Sequence, residues 1–123
     1  LCIDLYTAQT QMYKIGSAES LVLNKGEVKA VSSSSPPAGI LADVRLDKKS
    51  IVLKEGDIIV MMSDGITESG CSVSRTDWVK KIMVKPHEDM DSLAKEIIDT
   101  AIEKNGNFAR DDMSVVAIRL KSL

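Results

Sequence analysis

A run of apolar residues in the middle of the chain restricts the fold more than any other feature. The residues from Ile58 to Met62 are all apolar, and three of them are β-branched, which is typical of a strand. Successive side chains of a strand point to opposite faces, so an unbroken apolar run predicts burial on both faces. The sheet that contains this strand must therefore be covered on each side by another layer of protein.

Shorter strand-like segments precede and follow this run. The predicted strands are residues 1–5, 12–15, 21–23, 28–31, 51–53, 57–62 and 113–120. Glycine-containing turns at Asn24–Glu27 and Lys54–Gly56 join two pairs of them. We expect the strands within residues 1–31 to form an antiparallel meander. The Ser-rich and Pro-rich segment Ser32–Gly39 is expected to be a loop within one domain.

Two segments have helical periodicity. Residues 89–104 carry an apolar stripe and are followed by Asn105-Gly106, a typical helix stop. Residues 74–84 predict a shorter helix, in which Ser74 and Asp77 resemble a capping box.

Charge and composition exclude several classes of partner. Sixteen basic and 18 acidic residues give a formal net charge of −2, which provides no field for nucleic acid or an anionic membrane surface. No apolar run approaches the roughly 20 residues that a membrane-spanning helix needs. The two cysteines, Cys2 and Cys71, lack metal-site spacing and indicate reduced thiols in a cytosolic domain.

Two acidic motifs lie next to predicted strands. Asp64, in Ser63-Asp64-Gly65, follows the buried strand, whereas Asp111 and Asp112 precede the last one. If these strands are antiparallel neighbours, the carboxylates converge at one edge of the sheet. Two negatively charged carboxylates that lie close together repel each other, unless a cation neutralises them or one of them takes up a proton. Oxygen-only donors favour Mg²⁺ or Mn²⁺ over Zn²⁺, and Gly65 would let the backbone pass close to the ion.

Each motif also has an ordinary structural interpretation. Asp-Gly is a favoured turn dipeptide, and acidic residues at the start of a strand are usually just solvated. His87 has no second histidine at metal spacing and is expected to be a surface residue. Cys71 has no basic neighbour that would favour a thiolate nucleophile, and no serine has a visible catalytic histidine partner. Only the joint placement of the two acidic motifs therefore points to a metal site.

Four motifs occur in the order found in bacterial PP2C-type phosphatases. They are Lys14–Ala18, Pro37–Ile40, Gly56–Gly65 and Asp111–Val116, and together they extend over almost the whole chain. The segment Trp78–Met83 most resembles the stage II sporulation protein E branch of that family. The resemblance implies an α+β fold, with this chain as part of an α-β-β-α sandwich of antiparallel sheets flanked by helices. Residues 1–123 would then form the C-terminal portion of a single phosphatase domain.

The resemblance further implies a metal-dependent protein serine/threonine phosphatase that hydrolyses phosphoserine. In the matching motifs Asp64 and Asp111 are metal ligands and catalytic residues, and Gly65 and Asp112 are further members of the site. The complete domain would hold two Mn²⁺ or Mg²⁺ ions, and metal-bound water would attack the phosphorus directly. The upstream Asp-Gly motif that bridges the two ions has no counterpart in this sequence, so we expect the fragment itself to be inactive or nearly so.

The resemblance also implies partners and a location. The substrate would be a phosphorylated anti-anti-sigma factor, and this portion would face the cytoplasm in a parent protein anchored to the membrane by upstream segments. Missing strands would expose sheet edges and favour self-association. The alternative is a non-catalytic, phosphatase-like module for regulation or protein binding. The presence of both Asp64 and Asp111 argues against that alternative.

Overall fold

The computed structural model describes residues 1–70 and 75–121. Within these ranges the chain forms seven strands and three helices. The strands are β1 (Cys2–Ile3), β2 (Gln9–Lys14), β3 (Ser20–Asn24), β4 (Glu27–Val31), β5 (Asp47–Val52), β6 (Ile58–Met62) and β7 (Val115–Arg119). The helices are α1 (Asp64–Thr67), α2 (Asp77–Met83) and α3 (Met90–Lys104). All strand pairs are antiparallel, and they form two sheets with the orders β1-β2-β5 and β4-β3-β6-β7.

Two clusters of buried side chains define how the layers stack. One joins residues of the two sheets and contains Met12, Val22, Leu53 and Ile59. The other joins the four-stranded sheet to the helices and includes Leu21, Val60, Ile66, Val79, Leu93 and Ile97. Neighbouring residues of β6 thus belong to different clusters, and both Ile59 and Val60 are fully buried. The predicted α+β fold, with antiparallel sheets, flanking helices and a central strand covered on both faces, is confirmed.

The prediction of one meander over residues 1–31 is wrong. β2 pairs with β1 and β5, whereas β3 pairs with β4 and β6. The chain changes sheets after β2, where Gly16 has a φ of 52° and packs against the loop before β5. A Cβ atom at Gly16 would lie 2.2 Å from the backbone nitrogen of Pro37. β1 is also shorter than predicted, and Leu5 lies beyond its end as an exposed residue.

The helix expected over residues 89–104 is confirmed as α3. Asp89 is its N-cap, and it forms a capping box with Ser92. The backbone amide of Ser92 donates to the Asp89 carboxylate at 2.7 Å, and this hydrogen bond lowers the pKa of the Asp89 carboxyl group. Leu93, Ile97 and Ala101 form the buried stripe that the periodicity predicts.

The helix expected over residues 74–84 is α2, which begins later than predicted. Its N-cap is Thr76, without a side-chain cap hydrogen bond. The predicted capping box of Ser74 and Asp77 stays a prediction, because the structure does not describe Ser74. Ser74 and Cys71 both lie outside the described residues. The hydroxyl group of Thr76 donates to Glu19, the residue that precedes β3. This tertiary contact joins the start of α2 to the start of strand β3 in the four-stranded sheet.

His87 is half-buried and not the surface residue that the sequence predicted. Its side chain is 5% exposed, and its Nε2 atom lies 2.9 Å from the carbonyl oxygen of Ile82. Arg119 of β7 donates to the carbonyl oxygen of His87 at 3.3 Å. These hydrogen bonds join the segment between α2 and α3 to the end of α2 and to the far end of β7.

Asp57 connects the β3–β4 hairpin to the turn that precedes β6. Its carboxylate accepts hydrogen bonds from the amides of Lys25 at 3.3 Å and Lys54 at 2.7 Å, and from the side chain of Asn24. The residue is 6% exposed. One buried carboxylate thus satisfies donors from two separate turns.

Asp57→Ala is expected to lower the free energy of unfolding by about 2 kcal/mol, because three donors lose a charged acceptor. Urea denaturation should show this loss as a lower midpoint. Asp57→Asn should cost less, since it keeps one acceptor oxygen. Asp43→Ala is the matched control, because Asp43 is exposed. Equal midpoints for the Asp57→Ala and Asp43→Ala variants would contradict the expectation.

Candidate functional site

The end of β6 and the start of β7 lie at the same edge of the four-stranded sheet. The strands are antiparallel, with Met62 opposite Val115. The pairing continues one residue further, where the amide of Ser63 donates to the carbonyl oxygen of Ser114 at 3.0 Å. The predicted antiparallel pairing of these strands is confirmed, and it brings the two acidic motifs to one edge.

The hydroxyl group of Ser63 ties the two acidic segments together. Its Oγ atom accepts a hydrogen bond from the amide of Ser114 at 2.9 Å and donates one to the carbonyl oxygen of Asp112 at 3.0 Å. Ser63, which precedes Asp64, is therefore hydrogen-bonded to Asp112, which follows Asp111. These bonds hold the two carboxylate-bearing segments side by side.

Gly65 lies where the backbones of the two segments are in close contact. A Cβ atom at this position would be 2.4 Å from the carbonyl oxygen of Asp112. The glycine is required by this approach and not by a positive φ, because Gly65 is absent from the positive-φ residues of the described chain. The atom that Gly65 approaches is the backbone carbonyl oxygen of Asp112. That Gly65 lets the backbone pass close to a metal ion remains a prediction.

Asp64 and Asp111 are both exposed residues. Each accepts a hydrogen bond from the next amide, at 3.0 Å from Gly65 and at 2.8 Å from Asp112. Within residues 1–70 and 75–121 neither carboxylate forms a salt bridge. Asp64 is the first residue of α1, so Ser63-Asp64-Gly65 is a junction between a strand and a helix. The second oxygen of each carboxylate remains available to a ligand.

This donor set suits a hard divalent cation. The two segments present carboxylate oxygens, and these are the ligands that Mg²⁺ and Mn²⁺ prefer. In the described part of the chain, no group of three or more His, Cys, Asp and Glu residues is placed to hold a metal ion. Asp64 and Asp111 would thus supply two ligands, and water or other protein segments would complete the coordination.

A polar cavity opens on the other half of the same sheet edge. β3 begins and β4 ends there, with Ser20 opposite both Met61 and Val31. The cavity has a volume of about 490 Å³. Its lining includes Glu19, Ser32, Thr67, Arg75, Thr76 and Lys80. We refer to it as the edge cavity.

Glu19 joins two walls of the edge cavity. Its carboxylate accepts hydrogen bonds from the hydroxyl groups of Ser32 at 2.8 Å and Thr76 at 2.9 Å. Nearby, burial lowers the pKa of the Lys14 amino group, and the charge of Glu19 opposes this shift. The Lys14 amino group donates to the hydroxyl group of Ser20 at 2.9 Å. Sequence patterns assigned no role to Glu19, because 57 positions separate it from Thr76.

Comparisons with known proteins identify the family. Residues 1–121 match the family model described as stage II sporulation protein E. The chain belongs to the stage II sporulation protein E family. The resemblance drawn from the ordered motifs is thereby confirmed.

Two curated members of the family are similar over most of the chain. Stage II sporulation protein E of Bacillus subtilis (strain 168) is 36% identical over an alignment of 124 residues that covers 96% of this chain and 14% of that protein. The protein of the same name from Priestia megaterium is 31% identical over an alignment of 121 residues that covers 97% of this chain and 21% of that protein. The chain thus spans less than a quarter of the length of either relative.

Solved structures match the fold. The phosphatase domain of the cell fate determinant SpoIIE from Bacillus subtilis, presoaked with Mn, is 29% identical with a TM-score of 0.82, and the match covers 98% of this chain and 54% of that one. A structure of the SpoIIE PP2C phosphatase domain with a fragment of the regulatory domain is 32% identical, also with a TM-score of 0.82, and 36% of it is covered. The chain therefore has the antiparallel sheets and helices of a PP2C phosphatase domain over about half of that domain's length. None of the helices within the described ranges is long and apolar enough to cross a membrane.

Proposed function

We propose that this chain forms part of a metal-dependent protein serine/threonine phosphatase. The observation that carries the proposal is the convergence of Asp64 and Asp111, which Ser63 holds at one sheet edge. Family membership supports it, because the matching structures are phosphatase domains. Residues 1–123 are proposed to be the C-terminal portion of that domain. The remaining metal ligands would come from the part of the domain that the match does not cover.

The chain's own residues have distinct proposed roles. Asp64 and Asp111 bind Mn²⁺ or Mg²⁺ through their exposed carboxylates, and Gly65 and Asp112 keep the two ligand-bearing segments in contact. A bound divalent cation supplies a water nucleophile at neutral pH and offsets negative charge on the phosphoryl oxygens. The proposed reaction is direct hydrolysis of phosphoserine by water, without a phosphorylated enzyme. Both carboxylates belong to exposed residues, which suits a phosphoserine carried on a protein.

The proposed substrate is a phosphorylated anti-anti-sigma factor. The motif order that resembles the PP2C-type phosphatases and membership of the stage II sporulation protein E family support this choice. In the same proposal, this portion faces the cytoplasm, and upstream segments anchor the parent protein to the membrane. A non-catalytic regulatory module would instead bind such a partner without hydrolysing it.

The complete phosphatase domain is expected to hydrolyse a phosphoserine protein only when Mn²⁺ or Mg²⁺ is present. Chelation with EDTA should lower the rate by about a hundredfold or more, since the cation supplies several kcal/mol of charge stabilisation. Release of inorganic phosphate measures the rate, and added Mn²⁺ should restore it. The 123-residue chain alone is the comparison and should be far slower. Hydrolysis that EDTA does not affect, or full activity of the short chain, would contradict the proposal.

A further inference from the structure

The edge cavity has the charge and the hydrogen-bonding groups to bind a small anion. Its lining carries two cations, Arg75 and Lys80, and one carboxylate, Glu19. The hydroxyl groups of Ser32 and Thr76 already donate to that carboxylate. The lining therefore has one excess positive charge, which matches a monoanion better than a dianion.

The two cations are only loosely engaged. Arg75 lies 3.4 Å from Glu68, and both side chains are more than 60% exposed, at 68% and 63%. Lys80 lies 2.8 Å from Asp77, with side-chain exposures of 35% and 56%. Exposed ion pairs contribute little free energy, so both cations can exchange these partners for a ligand at small cost.

The edge cavity and the candidate metal site share one edge of the sheet. The strand order there is β4, β3, β6, β7; the cavity lies at β4 and β3, and Asp64 and Asp111 lie at β6 and β7. Neighbouring strands lie about 4.8 Å apart, so the middle of the β4–β3 pair lies two strand spacings, or roughly 10 Å, from the middle of the β6–β7 pair. Thr67 lines the cavity and donates to the carbonyl oxygen of Asp64 at 3.3 Å. An extended peptide that advances about 3.3 Å per residue covers this separation in about three residues.

We propose that the edge cavity binds an acidic side chain of the phosphoprotein substrate, about three residues from the phosphoserine. This inference rests on the proposed phosphatase function, because it assumes that the phosphoserine lies at Asp64 and Asp111. Arg75 and Lys80 donate to the carboxylate of the substrate, with geometry that guanidinium and ammonium groups commonly use for carboxylates. They determine which substrate binds and do not take part in the hydrolysis.

The test compares two phosphoserine peptides with the complete phosphatase domain. The peptides are identical except that one has Glu and the other Gln at the third residue on either side of the phosphoserine. For the Arg75→Gln/Lys80→Gln double variant, we expect kcat/KM for the Glu peptide to fall about tenfold, because each exposed charge pair contributes up to about fivefold. Hydrolysis of the Gln peptide and of p-nitrophenyl phosphate should not change. Raising the salt concentration should reduce the preference of the unaltered domain for the Glu peptide.

Lys81→Gln is the matched control. Lys81 is exposed and neighbours Lys80 on α2 but does not line the cavity, so the same charge change should leave both peptides unaffected. A domain that hydrolyses both peptides equally, or a double variant that keeps its preference for Glu, would overturn the inference and leave the phosphatase function standing. If the domain fails to hydrolyse even p-nitrophenyl phosphate, the proposed function fails. Fluorescence anisotropy with labelled peptides then tests the cavity separately, and equal affinities for the two peptides would overturn the inference.

Discussion

Asp64→Asn and Asp111→Asn are each expected to lower metal-dependent hydrolysis by the complete phosphatase domain by about a hundredfold or more. Each substitution removes one negative charge from the proposed metal site, and cation binding there supplies several kcal/mol of stabilisation to the reaction. The local structure should survive. Asn keeps the oxygen that accepts the amide hydrogen bond from Gly65 in one case and from Asp112 in the other. The loss of hydrolysis should therefore reflect the missing negative charge and not unfolding of the site.

Mn²⁺ affinity provides a readout that does not depend on turnover. Isothermal titration calorimetry should show weaker Mn²⁺ binding in both variants, with thermal unfolding midpoints close to that of the unaltered domain. Asp91→Asn is the matched control, because Asp91 is exposed in the first turn of α3. Asp91 also lies away from the proposed metal site. The carbonyl oxygen of nearby Glu88 accepts a hydrogen bond from Arg119 at the end of β7 that is far from Asp111. Folded Asp64→Asn or Asp111→Asn variants that keep normal Mn²⁺ affinity and activity would refute their assignment as ligands.

Gly65→Ala is expected to reduce hydrolysis by about a hundredfold while all proposed ligands remain present. The new Cβ atom would meet the carbonyl oxygen of Asp112 at 2.4 Å, so α1 and the Asp111–Asp112 segment must move apart. A displacement of about 1 Å between catalytic groups can cost about a hundredfold in rate. Crowding of this kind also lowers stability, typically by about 1–3 kcal/mol.

Gly56→Ala separates the effect of spacing from that of stability. Gly56 has a φ of 86°, and a Cβ atom there would meet nothing within 4 Å. Alanine in this left-handed conformation should cost about 1–2 kcal/mol of stability without moving Asp64 relative to Asp111. Measured at a temperature where both variants are folded, Gly56→Ala should retain its hydrolysis and Gly65→Ala should not. Equal rates for these two variants would show that the contact at Gly65 does not control the site.

Local sequence patterns were sufficient for the elements that bury a continuous apolar surface. The apolar run of β6 and the stripe on α3 each correspond to an element with the expected burial. The edge shared by Asp64 and Asp111 was also predictable, because each motif adjoins a strand that needs a partner. The motif order was sufficient to predict the family. In each case the information lies within a few neighbouring residues or in their order along the chain.

Contacts between distant residues decided the rest. Only the tertiary structure assigns β2 and β3 to different sheets, buries the side chain of His87, and places Arg75 and Lys80 in one cavity with Glu19. The hydrophobic periodicity of a segment predicts how much of that segment is buried, but it does not predict which other segment packs against it. That choice depends on the simultaneous packing of residues far apart in the chain. The sequence by itself determined the buried strand β6, the main helix α3 and the two acidic motifs, and the three-dimensional packing determined what lies beside them.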